Sequence, residues 1–277
     1  MIYADYHMHT NFCDGKNTPE EMVKAALNKG LKYMGFSGHF DPENGVYMDT
    51  DAYIKEISSV KEKYKDDIDI LLGGEIDCLY PYPELADKLE YTIGSTHSVL
   101  YGETVIPVDD TEEKLKNGCN EYFGGDYIKL AKEYYRTESE ITEHLHPDFI
   151  GHFDLITRFN DSMHFLDEEN SQYINYALET MEYLVKSGYP FEINCGAVNR
   201  NRKSEFYPNR RLLSALKNFG GRIIINSDAH ETDKITGGFD KAVKTAIECG
   251  FTHTGILVHD DNGNVVWKEL ALDTLVD

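Results

Sequence analysis

Two histidines and an aspartate lie close together near the start of the chain, in the stretch "DYHMHTNFCDG" at 5–15. His7 and His9 are two residues apart, so an extended strand would project both imidazoles from one face. Two adjacent imidazoles gain little from solvent but can share a cation, and Asp14 adds a carboxylate on the following loop. Taken alone, the stretch fits a chance spacing on an edge strand equally well. The positions of the remaining histidines indicate whether this stretch is a metal site or a chance spacing.

Further metal-ligating residue types stand where predicted strands end. They occur in "FSGH", "LLGGE", "IGSTH", "FIGH" and "NSDAH", and they are His39, Glu75, His97, His152, Asp228 and His230. The C-terminal ends of parallel barrel strands open onto one face, where active sites are built. Six of the eleven histidines therefore belong to a single predicted rim. The pattern favours a metal site over coincidence.

The other five histidines serve as a comparison set. His144 and His146 form a second H-x-H before a strand, and we interpret them as surface or helix-ending residues. His164, His253 and His259 also lie away from the predicted rim, although His259 is the one that could still reach the site.

Short β-prone runs alternate with helical patterns along the whole chain. Predicted strands occupy 2–6, 33–38, 68–74, 91–95, 148–152, 190–195 and 222–227, with 254–258 as a candidate eighth. Helices are predicted over 51–64, 127–143, 168–187, 208–219 and 238–249, and an earlier helix starts with a Thr18–Glu21 capping box and ends near Gly30. This alternation predicts a parallel barrel. We expect a single domain over 1–277, with an irregular insertion at about 101–125 that could act as a lid.

Composition narrows the class of ligand and the compartment. The 277 residues carry 49 acidic and 27 basic side chains, for a net charge of −22, which favours a small-molecule substrate over nucleic acid or anionic lipid. No apolar run approaches the ~20 residues that span a bilayer, and no secretory signal is evident at the start. The five cysteines are scattered, with no C-x-x-C pair, so we expect a cytoplasmic protein.

The predicted rim holds more ligands than one metal ion uses. A catalytic zinc takes about three protein ligands, whereas this rim offers nine. Imidazole and carboxylate without thiolate suit Zn, Mn or Fe, so we expect two or three such ions, with Glu75 able to bridge a pair. Close metal pairs recur in phosphoester hydrolysis, where they activate water and neutralise the phosphoryl oxygens.

Five of the seven arginines follow the fifth and sixth predicted strands. They are Arg158, Arg200, Arg202, Arg210 and Arg211. A guanidinium cluster beside a metal site is suited to phosphate, and Arg158 and Arg200 lie nearest their strand ends. Ordinary ion pairing with the excess carboxylates is the alternative for each arginine. No P-loop, dinucleotide-binding turn or serine-hydrolase elbow is present.

At these residues the chain resembles the polymerase and histidinol phosphatase (PHP) superfamily. The matching pieces are "DYHMHTNFCDG", "FSGH", "GGEID", "GSTHSV", "IGHFDLITRFN", "EINCG" and "NSDAH", which occur in family order over nearly the whole chain. The resemblance implies an α/β fold, a distorted (β/α)7 TIM-like barrel with a trinuclear metal site at the C-terminal rim. It is greatest to the stand-alone histidinol phosphatases, which hydrolyse L-histidinol phosphate to L-histidinol and phosphate in histidine biosynthesis.

The resemblance also implies how the ligands are shared. One ion would take His7, His9, Glu75 and Asp228, a second would take Glu75, His97 and His152, and a third would take Asp14, His39 and His230. Glu75, Asp228, His230 and Arg158 would be catalytic. Arg158 and Arg200 would bind phosphate, with Arg202 as the alternative to Arg200 because the loop after the sixth strand departs from the usual pattern.

Three other functions stay open from the sequence. The chain could hydrolyse another small phosphate ester, or it could be a non-catalytic regulatory domain of the PHP type. An amidohydrolase barrel also opens with H-x-H, but such enzymes often bridge their metals with a lysine after strand 4, where this chain has "STHS".

Overall fold

A computed structural model of the chain describes residues 4–40, 48–81 and 83–275. Its strands are β1 (Ala4–Asp5), β2 (Tyr33–His39), β3 (Asp69–Asp77), β4 (Tyr91–Ser95), β5 (Ser98–Tyr101), β6 (Thr104–Pro107), β7 (Phe149–Ile150), β8 (Phe191–Asn194), β9 (Ile223–Asn226), β10 (His253–His259) and β11 (Val265–Ala271). Ile2 and Tyr3 of the first predicted strand lie outside the described residues.

One or more helices lie between most consecutive strands of the central sheet. They are α1 (Pro19–Asn28), α2 (Thr50–Tyr64), α3 (Pro83–Ala86), α4 (Glu112–Phe123), α5 (Tyr127–Ser139), α6 (Ile141–His144), α7 (Asn160–Met163), α8 (Ser171–Lys186), α9 (Gly196–Asn199), α10 (Arg210–Asn218) and α11 (Phe239–Glu248). Short 3₁₀ turns occupy Leu155–Thr157, Thr232–Lys234 and Leu272–Leu275. The predicted capping box of Thr18 and Glu21 is present at the start of α1.

Seven parallel strands form the central sheet, in the order β1-β2-β3-β4-β7-β8-β9. The two edges meet beyond the strand ends, where Met8 and Ala229 form an isolated parallel bridge. The sheet is therefore a nearly closed barrel, and the predicted distorted (β/α)7 TIM-like fold is confirmed. Since all seven strands run in one direction, their C-terminal ends share one rim.

The candidate eighth strand at 254–258 is not part of this barrel. It lies within β10, which pairs antiparallel with β11 in a separate two-stranded sheet. The Tyr6 hydroxyl donates to the Leu257 carbonyl at 2.5 Å, and the Leu257 amide returns a bond to that hydroxyl. β10 and β11 adjoin along the chain through a tight turn, so a hairpin forms in place of another βα unit. This hairpin packs against the N-terminal end of the barrel.

The insertion at 101–125 is more regular than expected. β5 and β6 form an antiparallel hairpin, and α4 follows it. The side chain of Thr111 caps α4 by accepting from the Lys114 amide, and Gly124 ends it in the left-handed conformation. The description of this segment as irregular is therefore wrong, while the single-domain organisation over 1–277 stays a prediction. Among the described residues, no helix has both the length and the apolar character that crossing a membrane requires.

Candidate metal and phosphate site

The barrel register brings the first ligands together. In the parallel pairing of β2 with β3, His39 lies directly opposite Glu75. His7 and His9 continue from β1 on both sides of Met8, whose bridge to Ala229 fixes the chain beside β9. The His9 amide donates to the Ala229 carbonyl at 2.8 Å, between Asp228 and His230. The segments that follow the first and last barrel strands thus meet at the rim.

Glu75 lies at the centre of the cluster and is 1% exposed. Its Oε1 lies 2.7 Å from His152 Nε2 and 3.1 Å from His97 Nε2. Its Oε2 lies 3.1 Å from His7 Nε2, 3.2 Å from His39 Nδ1 and 3.5 Å from His9 Nε2. The two oxygens of one carboxylate therefore face two separate sets of imidazoles, which is the arrangement a bridging ligand needs.

Asp228 and Asp14 extend the cluster toward solvent. Asp228 Oδ1 lies 3.6 Å from His9 Nε2 and 3.3 Å from His230 Nδ1. Asp14 Oδ2 lies 3.0 Å from His230 Nε2, and its other oxygen lies 3.7 Å from both His9 and His39. His230 thus lies between the two carboxylates.

All nine predicted ligands take part in groups whose donor atoms lie within 4.8 Å of one another. The groups are His9, Asp14, His39 and His230; His7, Glu75 and His152; His7, His9 and Asp228; and His39, Glu75 and His97. They overlap the three sets that the resemblance implies, but His9 also joins the Asp14 group and His39 also joins the Glu75 group. The division of the nine residues among ions stays a prediction.

The donor atoms fit divalent metal ions. His9 Nε2 and His39 Nδ1 are buried, lie near carboxylate oxygens and make no hydrogen bond. A nitrogen lone pair that faces a carboxylate across 3.5 Å has no favourable partner unless a cation lies between them. Imidazole and carboxylate without thiolate suit zinc, manganese and iron.

The charges of the cluster agree with its geometry. Burial raises the pKa of the Asp228 carboxyl, but the Arg200 guanidinium and the His7 imidazole outweigh burial and hold that pKa well below its usual range. Burial, followed by the charges of His230 and His39, holds the pKa of His9 well below its usual value. Asp228 and His9 are therefore in the protonation states that bind metal. At His7, His97 and His230 burial lowers the pKa, but the neighbouring carboxylates outweigh burial and raise it, so metal binding there would displace protons.

Sequence reasoning missed two carboxylates that orient the ligands. Glu192 Oε1 lies 2.8 Å from His7 Nδ1, and Asp77 Oδ2 lies 3.2 Å from His97 Nδ1. Each leaves the opposite nitrogen of its histidine facing Glu75, as expected of outer carboxylates at metal sites. Asp77 could have been found, because it lies two residues after Glu75 on one strand face. Glu192 lies 185 residues from His7, and no local pattern connects them.

A pocket of about 450 Å³ opens next to the cluster, and both cluster residues and arginines line it. Arg158, Arg200 and Arg202 all line it, and burial followed by the charges of the other two arginines lowers the pKa of Arg202. Asp109, from the insertion, also lines the pocket and holds Arg158 at 3.3 Å. The insertion is thus part of the pocket wall, and three guanidiniums lie around one volume.

The remaining arginines of the predicted cluster lie elsewhere. Arg210 pairs with Glu248 at 2.5 Å, and Arg211 pairs with Glu169, both on the exposed surface. Ion pairing, the alternative considered from the sequence, describes these two.

The comparison histidines also lie outside the cluster. His259 pairs with Asp69 at 2.5 Å and with Glu90 at 2.9 Å, at the N-terminal end of β3. His146 contacts the Tyr189 hydroxyl, and His253 contacts Thr252. His144 ends α6, and His164 ends α7 in the left-handed conformation. The contacts of His259 remove it from the candidate ligands.

The PHP domain family matches residues 5–196 of the chain. The chain belongs to this family. The matched segment contains His7 through His152, whereas Asp228, His230, Arg200 and Arg202 lie beyond it. The PHP chain is also similar over almost its full length to proteins named as phosphatases.

A probable histidinol-phosphatase of Schizosaccharomyces pombe is 26% identical over 97% of this chain and 94% of its own length. The histidinol-phosphatase of Bacillus subtilis is 23% identical over 85% of this chain and 96% of its own length. A crystal structure of histidinol phosphate phosphatase from Lactococcus lactis, complexed with zinc, L-histidinol and phosphate, superposes with a TM-score of 0.74. It is 22% identical and covers 95% of this chain and 98% of its own, so it shows the same fold.

The contact between Glu192 and His7 generates a prediction. Glu192→Gln keeps the size of the side chain but removes the charge that accepts from His7 Nδ1, so zinc affinity should fall about 10- to 100-fold. Competition with a chromogenic chelator measures this affinity. Asp69→Asn is the matched control, because it changes the carboxylate that pairs with His259 at the other end of the barrel. Equal zinc affinity in the Glu192 variant and the wild type would show that this carboxylate does not support the centre.

Proposed function

We propose that this PHP-family chain is a histidinol phosphatase that hydrolyses L-histidinol phosphate to L-histidinol and inorganic phosphate. The observation that carries the proposal is one pocket lined both by metal-ligand residues of the cluster and by three arginines. A phosphate ester requires both, because its oxygens carry charge that cations must neutralise before a nucleophile can approach. Relatives named histidinol-phosphatase match nearly the whole chain.

The metal centre that we propose holds two or three ions of zinc, manganese or iron. His7, His9, Glu75 and Asp228 would hold the first, and Glu75 would share the second with His97 and His152. Asp14, His39 and His230 would hold the third. Bound ions of this kind lower the pKa of water from about 15.7 toward 7 and neutralise phosphoryl oxygens.

The side chains of the pocket complete the reaction site. Arg158 and Arg200 would bind the phosphate oxygens, and Arg202 lies in the same pocket as a third donor. Arg200 already donates to Asp228 Oδ2 at 3.0 Å and to the Asp228 carbonyl at 2.7 Å, which fixes the guanidinium beside a proposed ligand. His230 lines the pocket between Asp14 and Asp228, and we place it with Glu75, Asp228 and Arg158 in the catalytic group.

The alternatives weaken in different ways. A non-catalytic PHP domain has no need of a complete ligand set next to an arginine-lined pocket. Another small phosphate ester would use the same metals and arginines, so the substrate itself has to be tested.

The five cysteines are free, which is consistent with the reducing cytoplasm that we propose as the compartment.

A panel of phosphate esters tests the proposed substrate. The metal-loaded protein should release phosphate from L-histidinol phosphate with a kcat/KM at least about tenfold above that for simple alkyl and sugar phosphates, since specific pocket contacts differ by ~1.4 kcal/mol or more. Release of inorganic phosphate, followed colorimetrically, is the measurement. Equal rates on all esters would show that the protein is a phosphatase but that L-histidinol phosphate is not its specific substrate. No release from any ester would contradict the proposal altogether.

The central place of Glu75 generates a prediction about metal content. Glu75→Gln removes the charge that faces two imidazole sets, so kcat/KM should fall more than the ~10- to 100-fold typical of an outer-shell change, and metal content should fall with it. Plasma mass spectrometry gives the metal-to-protein ratio. His144→Ala and His146→Ala are the controls, and both should keep activity within about threefold, as surface changes do. Turnover that depends on the control histidines but not on Glu75 would show the cluster to be misassigned.

The pocket wall generates a prediction about phosphate. Arg158→Ala removes a charged donor, so the inhibition constant of inorganic phosphate and the KM for the ester should each rise about 10- to 100-fold at unchanged metal content. Arg211→Ala, on the exposed surface, is the matched control and should leave both constants unchanged. If phosphate inhibits the Arg158 variant as strongly as the wild type, Arg158 is not a phosphate ligand.

A further inference from the structure

Lys203 is a buried cation directly behind the three arginines that line the pocket, Arg158, Arg200 and Arg202, which we call the arginine wall. About 3% of its side chain is exposed, and its Nζ donates to the Thr157 carbonyl at 3.0 Å and to Thr157 Oγ1 at 2.9 Å. Asp161 and Glu168 each place a carboxylate oxygen 3.8 Å from Nζ. Burial of an ammonium group is costly unless the group is paired and hydrogen-bonded. These contacts therefore hold the Lys203 ammonium group in one specific buried position.

Lys203 and Thr157, which contact each other, are each adjacent in the chain to an arginine of the pocket. Lys203 directly follows Arg202, and Thr157 directly precedes Arg158. The bond between them therefore joins two arginine-bearing segments that come from different βα units, one residue behind each guanidinium. Ser204 extends the junction, because its amide and hydroxyl both donate to Asp161 Oδ2, at 2.9 and 3.1 Å.

The arginines need such a junction because they repel one another. Arg158 and Arg202 carry like charges around one pocket, and before an anion binds this repulsion favours separation of their segments. Pre-positioned donors bind a ligand more tightly than donors that must be ordered on binding. Lys203 is absent from the pocket lining, so it would act on phosphate only through the arginines.

We propose that Lys203 is a positioning residue that sets the spacing of Arg158 and Arg202 for a phosphate group. The proposal rests on the proposed function, since it assigns the arginine wall to the phosphate of the substrate. It predicts that loss of the lysine weakens phosphate binding without changing the metal ligands.

The test is the dissociation constant of inorganic phosphate, measured by titration calorimetry on the metal-loaded protein. Lys203→Met keeps the length of the side chain and removes its donors, so the dissociation constant should rise about tenfold at an unchanged metal-to-protein ratio. Lys203→Arg restores charge and donors and should recover part of this loss. Lys241→Met is the matched control, because Lys241 donates to the Ser204 carbonyl from the exposed side of the same loop and does not join it to Thr157.

A second variant keeps the proposal testable if Lys203→Met fails to fold. Thr157→Val removes the hydroxyl that accepts from Lys203 and donates to the Asp154 carbonyl, and it leaves the Thr157 carbonyl acceptor in place. It should raise the dissociation constant about threefold. Where both single variants fold, their double variant should show less than the sum of the two effects, because both remove one contact. Phosphate binding within twofold of the wild type in the folded Lys203→Met protein, or in Thr157→Val when the former does not fold, overturns the proposal. Loss of ester hydrolysis in the wild type with phosphate binding intact would instead contradict the proposed function.

Discussion

The carboxylate of Glu75 is buried among imidazole nitrogens, and the rim of the barrel is organised around it. Five histidines place a nitrogen within 3.5 Å of one of its two oxygens, and they come from β2 and from the chain after β1, β4 and β7. Such a concentration of lone pairs is unfavourable in a low-dielectric interior unless cations compensate it. The fold therefore supplies a site whose stability and chemistry both depend on bound positive charge.

The positive charge of the pocket is arranged against the charge of the whole molecule. The chain carries a net charge of −22, yet three arginines of its seven lie around a single pocket. Two of these three arginines are hydrogen-bonded to a carboxylate, Arg158 to Asp109 and Arg200 to Asp228. These pairs keep the guanidiniums in place before an anion arrives, and the acidic surface disfavours larger polyanions. A cluster of arginines in one pocket of an otherwise acidic protein suits a small phosphate ester.

The sequence predicts the rim because its signal is local. Parallel strands share an end, so a histidine or carboxylate at the end of a recognisable strand has a known location, as His39 shows. The hairpin of β10 and β11 was missed because an apolar run does not say which strand it pairs with. Helix α4 could have been found, since Leu115, Cys119 and Phe123 recur at helical spacing among polar residues and are its buried positions. The contact between Glu192 and His7 could not, because it depends on closure of the barrel.

An anomalous-scattering crystal structure of the metal-loaded protein with phosphate would show whether Glu75 bridges two metal ions beside the arginines. We expect metal peaks on both sides of Glu75, one next to Oε1 with His97 and His152, the other next to Oε2 with His7 and His9. We also expect phosphate between these ions and Arg158. Metal peaks that avoid Glu75 would show that this carboxylate does not bridge two ions, and phosphate bound away from Arg158, Arg200 and Arg202 would show that these arginines do not form the phosphate site.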